Sequence, residues 1–216
     1  MTKAGRGRLL VNCGAVAGPL FVVVFLIGGA LRVDYKPLRH PVSSLSIGST
    51  GWTQTVSFLV TGLLVVLCAV GLHQRGSGLW LAILVGLVGV GLVGAGAFTC
   101  DPINGYQPGT PLAPVATASG TLHSSFSALV FLRLPIACLV AARRFAHRGG
   151  RGFAGFSAAT AVGFLVLFVL AALGFAQNPA FLPIGGLLQR LCLAVGFAWL
   201  TTLALRSATR PKSATR

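Results

Sequence analysis

The residues of this chain that could do chemistry are few, and the richest group lies in one polar stretch between two apolar runs. The stretch DYKPLRHPVSSLSIGSTGWTQ, residues 34–54, contains one of the two acidic residues, one of the four histidines and a cluster of serines. A serine beside a histidine can become an activated nucleophile, and the same groups can hold a polar ligand through hydrogen bonds. Both chemistries remain open at this point.

Further polar residues occur in three later segments. Asp101 follows an apolar run directly, His123 begins the next run, and Arg190 lies about six residues inside the last run, or about 9 Å deep at 1.5 Å per residue. Because successive spans cross the membrane in opposite directions, these groups would lie at a similar depth on the same side of the membrane. We therefore predict an outward-facing polar pocket that binds a ligand through the following residues: Asp34, Arg39, His40, Ser43, Ser44, Trp52, Gln54, Asp101, His123 and Arg190.

The composition indicates that most of the chain lies in lipid. It is 55% hydrophobic and only 9% charged, whereas a soluble domain carries about 25% charged residues. The net charge of +15 does not indicate a nucleic-acid partner, because the basic residues lie between apolar runs and at the two ends rather than on one soluble face. Membrane lipids are the expected partners, and the oligomeric state stays open.

Six apolar runs are each long enough to span a bilayer, which needs about 20 residues. The sequence therefore predicts an all-α membrane protein, a six-transmembrane-helix bundle. The predicted spans are 9–31, 52–72, 79–99, 121–142, 153–176 and 184–205. They form one transmembrane domain, 9–205, between a basic N-terminus, 1–8, and a basic tail, 206–216, that is expected to be disordered.

The distribution of lysine and arginine predicts the orientation. Six spans place both termini on one side, and most basic residues outside the spans fall on that side. The opposite loops contain only Arg32, Lys36 and Arg39. The positive-inside rule then places both ends in the cytoplasm and turns the two longer loops outward.

Two arginines lie within predicted spans, where a charge costs roughly 2.5–3.5 kcal/mol and usually faces a partner. For Arg190 the nearer carboxylate in depth is Asp101, so we predict an Arg190–Asp101 pair, direct or through water. Arg133 lies midway along the fourth span with no acid at its depth. It is expected to extend toward a headgroup region, with backbone carbonyls, hydroxyls or a lipid phosphate as partners.

Two patterns suggest cofactors but are better explained by packing. Gly89, Gly91 and Gly94 match G-x-G-x-x-G, yet they lie within a span, and no acid follows Asp101. Small residues on a membrane helix let two backbones approach closely, which is the role we predict. We therefore predict no cofactor. The five cysteines are odd in number and have no C-x-x-C spacing, so we also predict no disulfide framework and no zinc site.

The first outer loop is predicted to contain a short helix. Leu38, Val42 and Leu45 have the spacing i, i+4, i+7, and Pro41 suits a first helical turn. Such a helix on the bundle would turn His40 and its neighbouring serines away from lipid.

Several of these motifs resemble a known family. They are RHPVSSLS at 39–46 with Gly48, Gly51-Trp52 and Gln54, then Asp101-Pro102, PGTP at 108–111 and His123. Together they resemble a bacterial six-span membrane family catalogued as domain of unknown function 998. The resemblance covers residues 9–205, and it implies a six-span architecture in a bacterial plasma membrane without an established activity.

Three functions remain open from the sequence. The first is a protein that binds or senses a lipid headgroup or small anion in the outer pocket. The alternative is a membrane-interface hydrolase or transferase, with Ser43 or Ser44 as nucleophile and His40 or His123 as base, or with a metal held by two histidines and Asp101. The further alternative is a small-solute transporter centred on Arg133.

Overall fold

The computed structural model of the chain describes residues 3–209. Between these residues it contains six α-helices and no β-strand, and each helix is long and apolar enough to cross a membrane. The all-α architecture and the six predicted spans are therefore confirmed. The helices are α1 (Lys3–Leu31), α2 (Trp52–Gln74), α3 (Leu79–Ala97), α4 (Ala118–Ala146), α5 (Arg151–Phe175) and α6 (Gly185–Thr209).

The six helices form a closed ring. Each helix packs against the next one in the chain, and α6 packs against α1. Large side chains fill the centre of the ring, among them Phe21, Phe164, Phe197 and Trp199, which are at most 1% exposed. Many other apolar side chains point outward and remain exposed, which is the arrangement expected of a bundle whose surrounding solvent is lipid.

The glycines of α3 let this helix pack closely against both of its neighbours, α2 and α4. A Cβ on Gly89 would lie 2.7 Å from the carbonyl oxygen of Gly62 in α2, and the reverse holds for a Cβ on Gly62. On the side facing α4, a Cβ on Gly94 would overlap the ring of Phe126. The predicted packing role of the G-x-G-x-x-G glycines is confirmed.

One end of the bundle is covered by connecting segments, and we call it the cap end. The largest of these segments, residues 32–51, is called the cap here. It contains a short 3-10 helix, Val42–Ser46, so the predicted helix exists but is tighter and shorter than a full α-helix. Segments 98–117 and 176–184 complete the cap end.

The opposite end carries both ends of the described chain. The α1 helix begins at Lys3, so it includes most of the predicted basic N-terminus, and α6 continues to Thr209, into the predicted tail. Residues 210–216, for which disorder is predicted, lie outside the described residues. Arg75 donates to the carbonyl oxygens of Ser207 (2.8 Å) and Ala208 (3.3 Å), where a cation favourably meets the C-terminus of α6.

Candidate functional site

Arg190 is buried at the cap end of α6 and fastens the cap to the bundle. Its Nη1 donates to the carbonyl oxygens of Pro37 (2.5 Å), His40 (3.0 Å) and Gly186 (3.0 Å), and its Nη2 donates to the hydroxyl of Tyr35. The guanidinium also lies 5.3 Å from the centre of the Tyr35 ring. The predicted direct Arg190–Asp101 pair is wrong, because carbonyl oxygens of the cap satisfy this cation instead.

Other contacts between the cap and the bundle reinforce this attachment. The amide of Val42 donates to Oε1 of Gln189 (2.8 Å), and the amide of Leu187 donates to the carbonyl oxygen of Leu38 (2.9 Å). A Cβ on Gly186 would overlap the carbonyl oxygen of His40, so α6 touches the cap backbone directly. The cap is therefore a folded segment that packs on α6 rather than a loose loop.

His40 is buried between aromatic residues at the cap end. Its ring is 3% exposed and lies 5.4 Å from the Tyr35 ring and 5.2 Å from the Tyr106 ring. Its Nδ1 accepts the amide proton of Lys36 at 2.9 Å. Burial first, and then the neighbouring Arg39 guanidinium, lower the pKa of His40 to about 4. It is held neutral, and its Nδ1 is already occupied, so it is poorly placed to act as a general base.

Asp101 stabilises the start of α4. Its Oδ1 accepts the hydroxyl proton of Thr117 (2.6 Å), its Oδ2 accepts the Thr117 amide (3.2 Å), and Thr117 in turn caps the amide of Gly120 (3.0 Å). A Cβ on Gly120 would overlap the carboxylate. A negative charge at a helix N-terminus is favourable, so this acid has a structural partner before any ligand arrives.

His123 links α4 to the end of α3. Its Nδ1 lies 2.8 Å from the carbonyl oxygen of Ala95 and 3.0 Å from that of Phe98. Carbonyl oxygens only accept, so Nδ1 carries a proton, and in this tautomer Nε2 is the accepting nitrogen. Phe58 lies edge-on to this ring at 6.1 Å.

A cavity of about 680 Å³ lies within the cap end, and we call it the central cavity. This volume is in the range of small-molecule sites. Its polar side includes Ser43, Asp101, His123 and Gln189. Its lining also includes the exposed Ser124, so the cavity is reached from the molecular surface. The apolar side of the cavity is formed by Phe21, Phe58, Phe131, Phe168, Phe175 and Leu193.

The predicted pocket residues therefore divide into several groups. Ser43, Asp101 and His123 line the central cavity, whereas Arg190 and His40 hold the cap and do not line it. The remaining five also lie outside its lining. Ser44 and Gln54 are buried and Arg39 is half-buried, and each has a side-chain atom without a hydrogen-bond partner among residues 3–209. Trp52 is 65% exposed, and Asp34 lines a separate cavity.

Sequence reasoning missed Tyr35, Gln189 and the aromatic wall of the cavity. Burial raises the pKa of Tyr35 to about 12, so its phenol stays protonated and can donate to the carbonyl oxygen of Pro41 (2.9 Å) or His40 (3.1 Å). Gln189 could have been found because it precedes the intramembrane Arg190. The phenylalanines of α4 and α5 carry no such signal, since apolar residues are expected throughout a span.

The enzymatic arrangements predicted from the sequence are not assembled within residues 3–209. Ser43 and His123 line the same cavity, but no hydrogen bond joins them, and Ser44 is fully buried. His40, His123 and Asp101 do not form a metal-binding group. Arg133, the residue of the transporter alternative, is half-buried in α4 and lines neither cavity. Its Nε is buried and has no hydrogen-bond partner in the described part of the chain.

The chain is a multi-pass membrane protein. Its six spans form a closed ring, the cap is attached to α6 chiefly through the buried Arg190, and a cavity lies within the cap end. The family model described as protein of unknown function DUF998 matches residues 15–206, so the chain belongs to that family. No curated protein and no solved structure matches it.

Proposed function

We propose that the chain binds an amphiphilic molecule in the central cavity, with its apolar body against the phenylalanines of α4 and α5 and a hydroxyl-bearing head under the cap. The observation that supports this most is the division of one cavity into an aromatic wall and a small group of polar side chains. Such a division is typical of small-molecule sites, where apolar surface supplies affinity and a few polar groups fix orientation.

The chemistry of the polar side favours a neutral head over an anion. His123 offers an accepting Nε2, Asp101 offers carboxylate oxygens, and the Ser43 hydroxyl can donate or accept. Arg190, the cation expected to attract an anion, is absent from the lining because the cap carbonyls occupy it. A glycerol-like head with one free hydroxyl group matches this set, so diacylglycerol is the appropriate probe.

Binding is tested on the full chain in mild detergent by native mass spectrometry with equal amounts of diacylglycerol and phosphatidic acid. We expect retention of diacylglycerol, and about tenfold weaker retention in His123→Ala, because one hydrogen bond is worth about 1.4 kcal/mol. Equal or stronger retention of phosphatidic acid would contradict the proposal.

Two further variants separate binding from folding. His73→Ala removes an exposed histidine at the other end of α2 and should leave retention unchanged. Ala128→Phe adds a ring within the cavity lining without removing a hydrogen bond, and it should also weaken retention. If Ala128→Phe stays folded and binds diacylglycerol as the original chain does, the cavity is not the site.

The proposal includes the orientation predicted by the basic residues, with both termini in the cytoplasm and the cap in the outer leaflet. A C-terminal fluorescent fusion should be bright, and an alkaline phosphatase fusion at the same place should be inactive. A short epitope inserted at Gly109, which is exposed with open space around it, should be accessible from outside intact cells. The reverse pattern would place the cap in the cytoplasm.

A further inference from the structure

A second cavity of about 800 Å³ lies at the rim of the cap, and we call it the rim cavity. It shares no lining residue with the central cavity. One wall is the cap-end turn of α1, where Ile27 is 54% exposed and Leu31 is 78% exposed. The other wall consists mostly of polar residues, which come from the cap, from segment 98–117 and from the first turn of α2. Apolar side chains exposed on a membrane helix directly below polar groups are placed to meet a lipid at its headgroup boundary.

Arg32 and Asp34 supply opposite charges to this one cavity. Arg32 is held in place because Nη1 donates to the carbonyl oxygen of Ile47 (2.9 Å) and Nη2 donates to that of Leu45 (2.7 Å). Within residues 3–209 the Arg32 guanidinium forms no ion pair, and the Asp34 carboxylate accepts no hydrogen bond. Two residues apart, the two charges line the same cavity without neutralising each other.

A second donor lies beside Arg32. The rim cavity is also lined by Gly48 and Gln107. Built on Gly48, a Cβ would be 2.7 Å from Nε2 of Gln107 and 3.8 Å from Nη1 of Arg32. Both donor nitrogens therefore lie close to Gly48, and the Gln107 amide donates to no protein acceptor in the described part of the chain. A guanidinium with a neighbouring amide donor is suited to phosphate oxygens.

We propose that the rim cavity binds a zwitterionic phospholipid of the phosphoethanolamine class. Its phosphate lies at Arg32 and Gln107, its ammonium lies at Asp34, and an acyl chain follows Ile27 and Leu31. This inference does not depend on the proposed function, because the two cavities have different linings and are tested by different substitutions.

The test uses native mass spectrometry of the full chain with equal amounts of phosphatidylethanolamine and phosphatidylglycerol. The original chain should retain phosphatidylethanolamine preferentially, up to about fivefold, because an ion pair at the exposed Asp34 carboxylate is worth at most about 1 kcal/mol. Asp34→Asn should bring the two lipids to equal retention, because the ammonium loses its counter-charge. Arg32→Gln should lower retention of both lipids about tenfold.

Arg32 also holds the cap, so its substitution could act through folding. Asp34→Asn removes a carboxylate that accepts no hydrogen bond from any described residue, and its change in lipid ratio tests the proposal even where Arg32→Gln fails to fold. Arg8→Gln is a matched control at the other end of α1 and should change neither retention nor ratio. The proposal is overturned if the original chain retains both lipids equally, if Asp34→Asn keeps the original ratio, or if millimolar inorganic phosphate alone displaces the bound lipid, which would make the site one for a free anion.

Discussion

At the scale of single residues, the rare charged groups stabilise the fold, whether or not a ligand is bound. Arg190 holds four oxygen acceptors of the cap and its own helix, and Asp101 holds the start of α4. A buried cation needs no carboxylate when several carbonyl oxygens surround it, which is why counting acids in the sequence pointed to the wrong partner.

Arg190→Met should separate the cap from the bundle. The carbonyl oxygens of Pro37 and His40 and the hydroxyl of Tyr35 would lose a charged donor, so we expect the free energy of unfolding to fall by about 3 kcal/mol. Thermal unfolding in detergent, followed by tryptophan fluorescence, measures the loss. Arg8→Met, at an exposed position of α1, serves as control; an equal effect of both substitutions would mean that Arg190 does not anchor the cap.

His40 should make the stability of the protein depend on pH. Its pKa in the folded chain is about 4, below its ordinary value of 6.5, so between these values the unfolded chain binds the proton and the folded chain does not. Stability is therefore full above about pH 6.5 and falls as the pH approaches 4.

The melting temperature of the original chain should drop between pH 7 and pH 5. In His40→Asn, which keeps an acceptor near the position of Nδ1, the drop should be smaller. His73→Gln is the control, since His73 is exposed, and its profile should follow that of the original chain. An unchanged slope in His40→Asn would contradict the assignment of this histidine as neutral and buried.

At the scale of elements, glycines decide where backbones meet. Gly186 lets the first turn of α6 touch the cap, whereas Gly155 of α5 has open space around it. The same residue type is therefore essential in one helix and dispensable in another, and the sequence alone does not distinguish the two.

Gly186→Ala and Gly155→Ala form a matched pair of substitutions. The first adds a methyl group onto the carbonyl oxygen of His40 and 2.6 Å from that of Pro37, so it should lower the melting temperature and weaken ligand retention. The second should leave the fold intact and gain up to about 1 kcal/mol from the higher helix propensity of alanine. Equal behaviour of the two variants in thermal unfolding would contradict the close contact between α6 and the cap.

At the scale of the whole molecule, the sequence predicted what depends on composition and missed what depends on tertiary contact. Long apolar runs are sufficient to predict six spans, and the family motifs mark the cap. The convergence of Ser43, Asp101 and His123 on one cavity followed from alternating helix direction. The roles of Tyr35, Gln189 and the phenylalanines of α5 could not be predicted, because they depend on how far the cap folds back over α6.

The molecule is thus a ring whose cap end contains two separate cavities, one central and aromatic, the other at the rim and charged. Binding in the central cavity is tested most directly by covalent capture of a photoreactive diacylglycerol, with the crosslinked residues located by mass spectrometry. We expect labelling at Phe131, Phe168 or Phe175, and this labelling should be reduced by unlabelled diacylglycerol and by Ala128→Phe. Labelling spread over exposed helix faces such as Val162 and Val166, without competition, would contradict it.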